Sequence, residues 1–278
     1  MYLKKAIREL IKRVVASNLC WSIGSPLFQN IPYLLFLRKQ VVIENHKLLV
    51  SQYFEDLIVK NGIFKGLKYP KLEASGSAIY PKLLGSYESE LNGVLDEILT
   101  KPFTVFIDIG CAEGYYLAGI ANKIDKIKLI GIDISESALN QTQKMLQKNG
   151  VDLINVSLLQ KFDTTLIPKN NTDQVLLICD CEGYEEIIFN ANSCVNFSNC
   201  TLLIECHDYI VPNITETLVN TLKLTHHLEI IRSTLDETFK FDFIPSELQK
   251  LSLEEKLQLV QEGRPTQMNW IYAKPHTI

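Results

Sequence analysis

From residue 102 onward the chain alternates short, unbroken apolar runs with stretches in which apolar residues recur every three or four positions. The runs at 104–109, 128–132, 156–160, 175–179, 201–206, 228–232 and 270–273 predict seven strands. Amphipathic segments at 115–121, 136–148, 184–190 and 214–224 predict the helices between them. Consecutive apolar positions mean strands buried on both faces, and the intervening helices supply the cover. The pattern therefore predicts an α/β fold, a Rossmann-like doubly wound sheet of seven mostly parallel strands. Ser135 as N-cap and Gly150 as stop punctuate the segment at 136–148.

Residues 1–100 have a different pattern and predict a mainly helical N-terminal extension, packed as a lid over the ligand edge of a domain spanning 101–278. At its start, Leu3, Ile7, Leu10, Ile11 and Val14 fall at helical spacing among Lys4, Lys5, Arg8, Lys12 and Arg13. Such a basic amphipathic helix fits docking on the main domain, a homodimer contact or a partner protein ahead of attachment to a membrane surface. The next apolar stretch, 23–37, is cut by Pro26 and Pro32 and is too short to span a bilayer, so no transmembrane segment and a cytoplasmic protein are expected.

Composition narrows the function classes. The chain has 278 residues, 46% hydrophobic, enough for a large core, and 28 Lys and Arg against 32 Asp and Glu. That net charge of -4 supplies no broad cationic field, so nucleic acid is not an expected partner. Seven cysteines without metal-type CxxC pairs read as reduced thiols. Cys179 and Cys181 flank Asp180 and are expected on opposite faces of a strand.

The chemistry concentrates where strands end. In TVFIDIGCAEGYYLAGIA, residues 104–121, Gly110 and Gly114 follow the first strand, where a doubly wound sheet admits a ligand close to the backbone. A dinucleotide fingerprint would need a glycine where Ala112 stands, and Tyr115 is bulky, so pyrophosphate fits poorly. The run DIGCAEG instead resembles motif I of the class I S-adenosylmethionine-dependent methyltransferases, departing from it at Ala112. The resemblance implies the class I methyltransferase fold, with Asp108, Gly110, Cys111, Ala112, Glu113, Gly114 and Tyr115 around the amino-acid part of the cofactor. Nineteen positions after Gly114, Asp133 ends the second strand, where an acid can accept from ribose hydroxyls. Ile134 beside it and Asp163 after the third strand are further cofactor candidates, Asp163 at the adenine.

Two more strand ends carry acids: DCEGYEE from Asp180 and IECHDY with Glu205, His207 and Asp208. With KLLGSYESEL before the domain, these runs resemble the FkbM-type methyltransferases, a resemblance covering about 103–272. That family is associated with O-methylation of natural products and saccharides. Methyl transfer from a sulfonium asks for in-line positioning of the acceptor and removal of its proton. His207 is the candidate base, with Asp180 and Glu205 beside it. Alternatively Asp180, Glu205 and His207 hold a divalent metal, Mg, Mn or Ca, in a layout resembling catechol-type O-methyltransferases. His226 and His227 are expected at a helix end, in structural roles. Tyr87 and Glu88 are candidates to close over cofactor or substrate.

The expected function is methylation of an oxygen on a small-molecule, sugar or peptide acceptor, with carboxyl- or N-methylation as alternatives. From another class, a NAD-dependent oxidoreductase or a non-catalytic cofactor-binding partner subunit remain as readings.

Overall fold

The structure is a computed structural model that describes residues 11, 13–28, 31–169 and 173–276. Most of the basic amphipathic segment at 3–14 lies outside the described residues. The chain divides into two compact units, one of 1–56 with 246–251 and one of 57–245 with 252–278.

The smaller unit is helical. Helix α1, Asn18–Phe28, is followed by α2, Pro32–Tyr53, which begins with Pro32 in its first turn, where a missing N–H costs nothing. Arg38 of α2 reaches back, donating from Nη1 to the carbonyls of Val15 at 2.7 Å and Ala16 at 3.0 Å, and lies over the Trp21 ring.

The larger unit is built on one seven-stranded sheet. Its strands are β1 Val105–Ile109, β2 Lys128–Ile132, β3 Val156–Leu159, β4 Val175–Cys179, β5 Cys200–Cys206, β6 His226–Arg232 and β7 Asn269–Pro275. Their order is β3-β2-β1-β4-β5-β7-β6, with β1 to β5 parallel and β7 antiparallel to both neighbours. This is the doubly wound sheet that the apolar runs predict. It has the class I methyltransferase arrangement, with its switch point between β1 and β4.

The helices of this unit are α3 Ile79–Leu84, α4 Asn92–Leu99, α5 Tyr115–Ala121, α6 Glu136–Lys148, α7 Glu185–Ile188, α8 Ile214–Leu222 and α9 Leu253–Val260. Ser135 caps α6, its hydroxyl accepting from the Ala138 N–H. Every residue of β1, β4 and β5 is buried, which is what strands covered on both faces require.

Register decides where the chemistry sits. Ile109 pairs with Ile132 on one side and Cys179 on the other, and Cys179 pairs with Ile204. The residues that follow, Gly110, Asp133, Asp180 and Glu205, therefore emerge side by side at one edge. Two expectations change. His226 and His227 begin β6 instead of ending a helix, and His226 is buried with Nε2 at 3.0 Å from the Cys200 carbonyl. Cys179 and Cys181 lie on the same side, two residues apart along an extended chain, with their sulfurs 3.4 Å apart.

Candidate active site

The edge where those strand ends meet opens into a cavity of about 750 Å³. Its two ends are built differently.

At one end lies the turn between β1 and α5. Gly110, Ala112 and Gly114 all have positive φ, at 84°, 47° and 88°. A Cβ on Gly110 would overlap the carbonyl oxygen of Asp180, and one on Gly114 would press on Thr142 at 2.9 Å. The two glycines thus admit the chain's own backbone and α6. Ala112 holds its left-handed conformation because its N–H donates to Asp133 Oδ2 at 3.0 Å and its carbonyl accepts from the Thr142 hydroxyl at 2.8 Å. Asp133 Oδ1 accepts from the Ser135 N–H at 2.8 Å, so the carboxylate is fixed between the loop and the start of α6.

Asp108 lines the cavity, is 3% exposed, and its Oδ2 has no hydrogen-bond partner. Burial, and next the charge of Asp133, raise its pKa to about 8. Glu113 is turned toward the extension: it accepts from Tyr69 Oη at 3.3 Å, the Ser75 N–H at 3.0 Å and Lys82 Nζ at 2.6 Å. Lys82 also lies over the Tyr87 and Tyr115 rings. Tyr115 is buried edge-on against Phe64 and Tyr87.

At the other end, His207 is the hub. Its Nδ1 meets Glu185 Oε1 at 2.8 Å, and its Nε2 lies 3.4 Å from Asp180, 3.5 Å from Glu182 and 3.7 Å from Glu205. Glu185 is fully buried and also accepts from the N–H groups of Cys181 and Gly183, so the tight turn after β4 orients the imidazole. Arg264, from the loop before β7, ion-pairs with Glu205, with Glu88 at 3.1 Å and with Glu262 at 2.9 Å. Glu88 accepts from the Tyr116 hydroxyl and sits at a positive φ of 48°. Lys240 pairs with Glu262 and with Glu237 at 3.0 Å.

Carboxylates outnumber cations here, and the proton affinities of Asp180, Glu205 and Glu88 rise. Burial, followed by the charge of Glu88, brings the Asp180 pKa to about 7, although the side chain keeps 33% exposure. Burial and then Asp180 raise Glu205 to about 8. Burial raises Glu88 to about 8 against the pull of Arg264. For His207, burial disfavours the charged ring, but the Glu185 hydrogen bond and the charges of Glu205, Glu185 and Glu182 outweigh it and the pKa is raised.

Residues 101–238 match a family model described as a methyltransferase domain. That segment is a methyltransferase domain. The match and the strand order together give the chain a methyltransferase domain with the class I arrangement, and so make it an enzyme. No curated protein matches its sequence. Among solved structures, it is similar to an S-adenosylmethionine-dependent methyltransferase from Thiobacillus denitrificans in complex with S-adenosyl-L-homocysteine, at 15% identity over 68% of this chain and 92% of that one, TM-score 0.43. It is also similar to a precorrin-6y C5,15-methyltransferase from Geobacter metallireducens, at 12% identity over 66% and 89%, TM-score 0.43. A third is a putative O-methyltransferase from Klebsiella pneumoniae, at 8% identity over 68% and 80%, TM-score 0.44.

Of the residues singled out in the methyltransferase sequence, Asp108, Gly110, Cys111, Ala112, Glu113, Gly110's partner Asp180, Tyr115, Asp133, Ile134, Glu205 and His207 all line the cavity. Gly114 supports the loop from behind, as its contact with Thr142 shows. Asp163 does not line it. Its carboxylate accepts from the N–H and hydroxyl of Thr165 on the surface, and Phe162 reaches the cavity instead. Asp208 accepts from the Thr215 N–H at 3.2 Å at the start of α8. The methyltransferase cavity also contains Arg264 and Glu262, which sequence reasoning passed over. Their one signal was an EGRP turn just before the last strand, a charged pair around a glycine at a strand end.

Proposed function

We propose that this methyltransferase methylates an oxygen of a small hydroxylated acceptor, a saccharide or a peptide-derived natural product, as the FkbM-type resemblance implies. The observation that carries the proposal is one continuous cavity with the motif I loop at one end and the Asp180–Glu205–His207 cluster at the other.

When bound, S-adenosylmethionine supplies an electrophilic methyl group on a sulfonium centre. The donor end fits it chemically: the orphaned, buried Asp108 Oδ2 suits a cationic amino group, and the fixed Asp133 carboxylate keeps lone pairs for ribose hydroxyls. Gly110, Cys111, Ala112, Glu113 and Tyr115 form the wall between them, and Ile134, 89% exposed on the rim, offers an apolar face to the base. We assign residues 69–88, within the extension expected over 1–100, the role of a cover for this end, latched through Glu113 to Lys82.

At the acceptor end, Asp180 takes the hydroxyl proton. It opens onto the cavity, and a carboxylate whose pKa lies near 7 is matched to that task. His207, surrounded by carboxylates that favour its protonated ring, donates from Nε2 and orients Asp180 and the acceptor; Glu205 shares that network with Arg264. Asp180, Glu205 and His207 place donor atoms within 4.8 Å of one another and would be the residues to hold a divalent metal, but Glu205 is already ion-paired with the Arg264 guanidinium, so we assign the cluster to proton transfer instead. The surplus of carboxylates repels an anionic acceptor, which favours neutral polyols over carboxylate substrates.

The test is methyl transfer from S-adenosylmethionine carrying a labelled methyl group to a panel of saccharides, polyols, amines and carboxylates. Label recovered as a methoxy group supports the proposal; label found solely on nitrogen or as an ester overturns it.

A further inference from the structure

Between Arg13 and Arg38 lie 24 residues, 14–37, without one charged side chain. Within them lie α1 and the start of α2. Arg38 ties the start of α2 to the chain just before α1, because its guanidinium binds the carbonyls of Val15 and Ala16 and lies over Trp21. Both charged ends of the stretch are therefore held together, and what extends from them is uncharged. Leu19, Ile23, Ile31, Tyr33, Leu35 and Phe36 each leave between 41% and 74% of their surface exposed there. An exposed apolar group of this kind on two successive helices needs an occupant.

Charge identifies it. Residues 1–40 carry Lys4, Lys5, Arg8, Lys12, Arg13, Arg38 and Lys39 against Glu9, a net +6 in a chain whose net charge is -4, so the remainder carries -10. A second copy would bring the same net +6 segment against itself. A lipid surface uses both the charge and the apolar group. Apolar and aromatic side chains enter the headgroup boundary, and flanking Lys and Arg pair with anionic lipids. No helix among the described residues is long and apolar enough to cross a membrane, and Pro26 and Pro32 interrupt the stretch. These helices can lie in the interface without spanning it.

We propose that α1 and the first turns of α2, 18–28 and 32–39, form a peripheral membrane anchor that docks the enzyme on anionic phospholipid bilayers. The inference is independent of which acceptor the cavity takes.

Flotation of the full chain with vesicles tests it, comparing phosphatidylcholine alone with phosphatidylcholine containing 30 mol% phosphatidylglycerol as the chosen probe. The anionic vesicles should carry at least about tenfold more protein, and high salt should reduce the difference. The double variant Ile23→Asp, Phe36→Asp should lose at least about tenfold of that binding, since it places charge in the apolar face. Both side chains are exposed, so its melting temperature should match the parent's and serve as the control for folding. Protein that stays in the soluble fraction with both vesicle types overturns the proposal. So does a double variant that floats as well as the parent. A parent that is dimeric by light scattering, becomes monomeric in the double variant and ignores vesicles assigns the surface to a second copy instead.

Discussion

The two ends of the cavity hold comparable chemistry by opposite means. The proposed donor end is made of one contiguous loop and the next strand's end, fixed by backbone hydrogen bonds from Ala112 and Ser135 to Asp133. The acceptor end is made of side chains from four distant segments, around residues 88, 180–185, 205–207 and 262–264, fixed by buried ion pairs. Backbone geometry tolerates changes in distant side chains. A buried charge network does not, because each ion left unpaired keeps its full desolvation cost.

That contrast can be broken, and the largest effect should come from the proton acceptor. Asp180→Asn should lower turnover about 10²- to 10⁴-fold while S-adenosylhomocysteine affinity stays within about threefold, measured by steady-state kinetics and calorimetry. Retained turnover removes Asp180 as the base. Next comes the network. Arg264→Met leaves Glu88, Glu205 and Glu262 without their shared cation and should destabilise the fold by about 3–5 kcal/mol in denaturant unfolding above about pH 8, where Glu88 and Glu205 are ionised. Loss below about 1 kcal/mol would mean that the carboxylates simply take up protons.

A smaller change belongs to the donor end. Asp133→Ala removes an acceptor from two N–H groups and from the proposed ribose contacts, and should weaken S-adenosylhomocysteine binding about 10- to 100-fold, with little effect on melting temperature. Turnover of the parent should rise with pH through about 7 as Asp180 loses its proton, and this limb should vanish in Asp180→Asn. Stability should run the other way. Glu88 and Glu205 hold protons up to about pH 8 when folded but lose them near 4.5 when unfolded, so their contribution falls as pH rises across that window. The smallest expected effect is none: a chelator should leave turnover unchanged, and a loss restored by Mg²⁺ or Mn²⁺ would return Asp180, Glu205 and His207 to the role of ligands.

How legible each end was in the sequence follows from the same contrast. Motif I, Asp133 and the seven strands are local patterns, and the structure puts strands where the apolar runs are. Even there the reason for the glycines differed: Gly110 is needed by the Asp180 backbone, a contact between two strand ends that no spacing reveals. Glu113 was legible as a loop residue but not as a partner of Lys82, 31 positions earlier. Asp180, Glu205 and His207 could be grouped because strand order brings their ends together. Arg264 could not, because its position depends on a loop that precedes an antiparallel strand inserted between two others. Against the effect of burial, the Glu185 hydrogen bond and the charges of Glu205, Glu185 and Glu182 favour the charged ring of His207, so the proposed mechanism uses it as a donor where the sequence suggested a base.

The central claim is that one cavity accepts the methyl donor at the Asp108–Asp133 end, and calorimetric titration of the purified chain with S-adenosylhomocysteine, in parallel with NAD, tests it most directly. The account predicts micromolar binding of S-adenosylhomocysteine, lost in Asp133→Ala, and no binding of NAD. Binding of NAD without S-adenosylhomocysteine would contradict it.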